Sequence, residues 1–177
     1  MKPRWIAALL VVVIGVGVYV GNVLATPSSG QTTTILAKAT VPDLDLSGHM
    51  ATTVTGPNGN AHPGVWLAKI MTHGLSDGYV VDNKFAANGG TSGWHSHPGP
   101  SLVVVKSGAL TLYRADDPTC TPEVVAAGSG FVDNGGDIHL VRNEGTVDAV
   151  VYVTSIVPRG AARRIDEPQP SNCPGIQ

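Results

Sequence analysis

Apolar residues are distributed along this chain at two length scales. From Ile6 to Val20 every position is apolar, glycine or tyrosine, and Val23-Leu24-Ala25 extends the run past Gly21-Asn22. No polar stripe interrupts it, so it reads as an apolar helix rather than one face of a packed core. Residues 26–34 are polar and read as a linker. From Ile35 the apolar text breaks into short runs: Ile35–Val41, Val65–Met71, Tyr79–Ala86, Leu102–Val105, Ala109–Tyr113, Ile138–Val141 and Ala149–Val157. Turn formers such as Asp77-Gly78, Asn88-Gly89-Gly90, Ser107-Gly108 and Gly135-Gly136 separate them. Short runs rich in Val and Thr at this spacing predict strands of an all-β sandwich or barrel. No stretch after residue 34 keeps a helical period for ten residues. The tail from Pro158, with Arg159, Arg163, Arg164 and three further prolines, predicts an extended arm on the outside. The expected organisation is an N-terminal apolar helix (1–25), a linker (26–34), a β domain (35–157) and a C-terminal arm (158–177).

Charge and flanking residues refine the reading of the N-terminus. Lys2 and Arg4 precede the apolar run, and Val23-x-Ala25 offers small residues at its end. That is the layout of a cleaved export signal. Ile6 to Ala25 is also long enough to span a bilayer at about 20 residues, so a retained anchor is the other reading. Both place the remaining chain outside the cytoplasm, with the membrane as a partner only if the segment is kept. In an oxidising compartment two isolated cysteines pair, and Cys120 and Cys173 are not part of any C-x-x-C motif. They are expected to form a disulfide that ties the arm to a loop. The net charge of −2 excludes a basic nucleic-acid binder.

Two pieces of sequence carry candidate chemistry. In Trp94-His95-Ser96-His97 the two histidines are two apart, so on a strand both rings project from one face and offer two metal ligands, while Trp94 faces the other way. Farther on, His139 opens another apolar run that ends at Asn143. Together the pieces resemble the cupin superfamily, whose two motifs place a glycine before H-x-H, then a glutamate and a glycine, and later glycine, proline, glycine, histidine and asparagine. Gly89, His95, His97, Gly108, Gly128, Gly136, His139 and Asn143 fall on that spacing. Ser101 stands where the motif has its metal-binding glutamate, and Asn134 where it has proline. Asn134 suits the same turn because asparagine tolerates the left-handed conformation.

The resemblance implies a double-stranded β-helix barrel of the cupin type, over about residues 65–157. His95, His97 and His139 would converge on one divalent transition metal: Fe, Mn, Zn, Ni or Cu. Strand alternation directs Val103, Val105, Val141 and Asn143 inward and Arg142 outward. Ser101, Asn143 and Asp137 are candidate contacts to substrate or water. His62 and His73 are read as surface or mouth residues. The resemblance implies a metal-dependent oxygenase acting on a small substrate; the alternative is a non-catalytic module that binds or senses a small ligand. A cupin that has lost its metal is a third reading, weakened by the presence of all three histidines. The resemblance also admits a homodimer.

Overall fold

The computed structural model describes residues 24–56 and 59–177. The described residues form β1 (Gln31–Val41), β2 (Asp45–Thr55), β3 (Ala61–Met71), β4 (Ser76–Phe85), β5 (Gly90–Thr91), β6 (His95–Ser96) and β7 (Ser101–Ser107). They continue as β8 (Ala109–Arg114), β9 (Glu123–Ala126), β10 (Gly130–Asp133), β11 (His139–Asn143), β12 (Ala149–Pro158) and β13 (Ile165–Asp166). One sheet runs β1-β4-β12-β7-β10, a second runs β13-β6-β11-β8-β9 with β5 beside β11, and β2 and β3 pair only with each other.

Neither sheet closes on itself, and no ladder joins the first to the second. The expected barrel is therefore corrected to two open, facing sheets in an all-β fold. The physical reason lies in the crossing segment. Pro98 and Pro100 have no backbone N–H, so His97–Pro100 cannot continue a ladder, and the chain passes from β6 in one sheet to β7 in the other. The predicted N-terminal helix falls almost wholly on residues 1–23, outside the described residues. Among the described residues there is no helix long and apolar enough to cross a membrane.

The core lies between the two sheets. Along β12 the burial alternates, with Ala149, Val151, Val153, Ser155 and Val157 inward and Val150, Tyr152, Thr154, Ile156 and Pro158 outward. β7 does the same, with Ser101, Val103 and Val105 buried and Leu102 and Val104 exposed. These inward residues pack with Val81, Phe85, Leu110, Leu112, Phe131 and Val141.

A second apolar cluster covers the outer face of the second sheet. Trp94, Tyr113 and Leu140 are buried beneath Cys173, with Ile176 beside them. The Trp94 indole N–H donates to the Ile176 carbonyl at 2.7 Å. Trp94 thus faces away from the histidines, and the arm is what covers it. Cys120 and Cys173 are disulfide-bonded across a sequence separation of 53.

Candidate metal centre

The site forms where β6 and β11 run side by side. His95 and His139 are direct partners in that antiparallel ladder, with ring centroids 4.4 Å apart. His97 lies just past β6, 4.9 Å from His95 and 5.6 Å from His139 between ring centroids. The approach to His95 requires glycine at 93. Gly93 has φ +65, and a Cβ there would stand 2.2 Å from the Thr26 carbonyl oxygen. The turn before His139 uses Gly135 (φ 86) and Gly136 (φ 78), while Asn134 is not left-handed, contrary to the sequence expectation. Gly136 N–H donates to the His97 carbonyl at 2.7 Å and fixes the two motifs to one another.

All three imidazoles are held in the same way. Nδ1 of His95 donates to the Gly93 carbonyl at 2.9 Å, that of His97 to Arg163 at 2.5 Å, and that of His139 to Asp137 at 3.1 Å. With Nδ1 protonated and occupied, each neutral ring keeps its lone pair on Nε2. Backbone carbonyls that orient metal-binding histidines in this manner also raise their basicity toward an ion. The three rings are buried, and one ligand atom from each lies within 4.8 Å of the others.

The electrostatics keep these rings uncharged. Burial pushes the His95 imidazolium far below the ordinary histidine range, helped by the neighbouring rings and Arg164. Burial likewise lowers His97 to about 4, against a raising influence from its bond to Arg163 and from Asp133. His139 is lowered by burial first, with Asp133 partly opposing it. Three neutral imidazoles suit zinc, copper, iron or nickel. The donor set therefore fits a transition-metal ion.

The rings open onto a cavity of about 90 Å³. Val103, Val141, Val151, Val153 and Phe131 belong to the apolar part of its wall. Ser101 is buried in the same wall, and its hydroxyl shares a 2.8 Å hydrogen bond with Ser155. The other two candidate contacts lie elsewhere. Asn143 is fully buried, but its amide bonds the carbonyls of Phe85 and Val147 and the N–H of Gly145, which locks the turn after β11. The Asp137 carboxylate receives a long 3.4 Å bond from Asn134, and neither residue lines the cavity.

Sequence reasoning missed several residues that do line it, among them Asp133 and Arg163. Asp133 ends β10 with its side chain buried, and its Oδ2 has no hydrogen-bond partner. That atom is 3.7 Å from His97 Nε2. The distance is too long for a hydrogen bond, and a neutral His97 makes it no ion pair at neutral pH. The alternation Phe131-x-Asp133 would have indicated its direction, had so short a strand been legible. Arg163 belongs to the arm, and no local pattern in the sequence points to its place in the cavity wall. Its guanidinium is half-buried and makes no ion pair among the described residues. Burial and the adjacent Arg164 both disfavour its charge.

Residues 84–155 match the family model described as Cupin domain. No curated protein matches the chain. Among solved structures, oxalate oxidase in complex with the substrate analogue glycolate is similar at a TM-score of 0.40 and 29% identity, over 44% of this chain and 41% of that one. The chain thus spans less than half the length of that oxidase. KdgF from Halomonas sp. is similar at a TM-score of 0.42 and 16% identity, over 71% of this chain and 78% of the other. The polyketide cyclase RemF from Streptomyces resistomycificus is similar at 0.43 and 17%, over 54% and 65%.

Proposed function

We propose, from the premise that this protein carries a cupin domain over residues 84–155, that it is a metal-dependent cupin working outside the cytoplasm on a small anionic ligand. The observation that carries this reading is the shared orientation of His95, His97 and His139, whose Nδ1 atoms all bond backbone carbonyls and whose Nε2 atoms remain free. A divalent ion held by those three atoms would supply a Lewis-acid centre, or oxygen chemistry if the metal is redox-active.

The chain's own residues define what could approach it. A half-buried guanidinium with no counter-charge favours an anion, so Arg163 would receive a carboxylate or similar oxyanion at the cavity wall. At about 90 Å³ the cavity admits only a few heavy atoms. The Cys120–Cys173 disulfide supports an oxidising compartment. Iron oxygenase chemistry is the enzymatic form of this reading. A ligand-sensing module is the second form, in which the same pocket captures the ligand without turnover.

Elemental analysis of the purified protein tests the shared claim, with about one equivalent of transition metal expected. His95→Ala and His139→Ala should each abolish uptake while the fold persists. A metal-stripped sample that takes up no Fe, Mn, Zn, Ni or Cu would overturn the reading. Oxygen uptake by an iron-loaded sample with small carboxylates separates the enzyme from the sensor. Loss of ligand-induced thermal stabilisation in Arg163→Ala checks the anion contact.

A further inference from the structure

We propose that Asp133 is the carboxylate donor of this metal centre, entering from β10 in place of the glutamate missing at position 101 of β7. The inference deepens the metal-binding reading and rests on it. β10 and β7 pair antiparallel with Asp133 directly opposite Ser101. Opposed residues in such a pair project from the same face with Cβ atoms about 5 Å apart. A side chain at 133 therefore enters the cavity next to the one at 101, and both residues line it. The serine side chain is short, and its hydroxyl is turned to Ser155 at 2.8 Å. The space toward the histidines is left to the neighbouring strand.

The carboxylate is aimed rather than free to rotate. Its Oδ1 accepts the Gly135 N–H at 2.9 Å. Its Oδ2 is buried without a partner and stands 3.7 Å from His97 Nε2. That nitrogen is an acceptor, because the Nδ1 proton of the same ring goes to the Arg163 carbonyl. Two buried acceptors thus face each other, an arrangement that costs free energy unless something positive lies between them. Two ligand atoms on one ion with bonds of about 2.1 Å lie about 3 to 4.2 Å apart, depending on the angle between them. The Asp133–His97 separation is within that range; the ligand atoms that all lie within 4.8 Å of one another are those of the three histidines, so Asp133 would join the ion from the His97 side by closing toward the other two. The bond to Gly135 alone does not explain the residue, since it uses one oxygen and leaves the other buried and unpaired. The other nearby acid, Asp137, does not line the cavity.

The test uses the whole protein, stripped with a chelator and titrated with cobalt(II), whose visible bands report the ligand set. Wild type should take up about one equivalent, and Asp133→Asn should lower its affinity by about tenfold or more with shifted bands. Asp133→Glu should recover part of the affinity. Asp148→Asn, an exposed acid paired with Lys84, should behave as wild type. An Asp133→Asn variant with wild-type affinity and bands overturns the proposal and leaves the three-histidine reading intact. Absence of uptake by wild type overturns both. If Asp133→Asn does not fold, the infrared difference spectrum of wild type on adding one equivalent of metal decides. A shifted carboxylate band supports Asp133, and an unchanged carboxylate region overturns it.

Discussion

At the scale of single residues, the site depends on imidazoles that stay neutral where free histidine begins to charge. Each folded-state value is depressed, chiefly by burial. Between the unfolded value near 6.5 and the folded His97 value of about 4, the unfolded chain binds protons that the native protein does not. Native stability without metal is therefore fully present above pH 6.5 and declines as pH falls toward 4. The buried Asp77 carboxylate lies at about 2, lowered mainly by the Gly160 N–H and then by Thr40 and Lys38, so its native-state titration falls below that window. Chelator-treated protein is expected to melt at progressively lower temperature from pH 7 to 5, and His97→Gln should flatten the slope. Equal melting temperatures at the two ends of that range would contradict the burial argument. The same depression weakens proton competition for Nε2, so bound metal should survive to a lower pH than at an exposed three-histidine site.

At the scale of elements, legibility in the sequence followed apolar composition, which marked Ile35–Val41 and Val65–Met71 as strands although β1 and β3 are mostly exposed. The runs at β4, β7, β8, β11 and β12 were readable because one or both faces are buried, so composition had to follow position. The histidine trio was readable because a two-residue period and a fixed spacing survive in one dimension. β2 was not readable, since its residues Asp45–Thr55 form no apolar run and show no regular alternation. Asp133 was hidden because its role depends on the register of β10 against β7, a pairing between distant positions. The split into two sheets was hidden because closure is decided by hydrogen bonds that no local pattern encodes. The β2–β3 ribbon illustrates the separation of fold from site. It leaves the body at a closed gate, where Leu44 and Thr72 exchange backbone N–H···O and side-chain bonds at 2.9 Å. Its strands pair with no other strand, and Met50, Val65, Trp66 and Leu67 are exposed. Deleting residues 45–71 and joining Leu44 to Thr72 should leave metal stoichiometry unchanged and move Tm by less than about 4 °C. Loss of metal binding in that variant would show that the ribbon braces the sheets.

For the whole molecule, the arm couples compartment to site. Residues after Pro158 contribute the Arg163 carbonyl that holds His97, the Arg164 guanidinium bonded to the Ser92 carbonyl, and a Glu167 carboxylate that accepts the Ser96 hydroxyl. The same arm covers Trp94 and is fixed at its far end by the disulfide. Closing a loop with a separation of 53 restricts the unfolded chain by about 4 kcal/mol in the chain-entropy account. Reduction should therefore act at two levels. Stability falls by up to that amount, read as a lower Tm. The arm loosens, His97 loses the acceptor that orients its ring, and metal affinity falls by about 10- to 100-fold, the usual effect of removing such a support. Cys120→Ser with Cys173→Ser, measured by metal titration at a temperature well below the new Tm, isolates the second effect from the first. Trp94 fluorescence should shift to the red in parallel as the indole loses its cover and its bond to Ile176. A double variant with lower Tm but unaltered affinity and emission would confine the disulfide to stability and leave the arm seated without it.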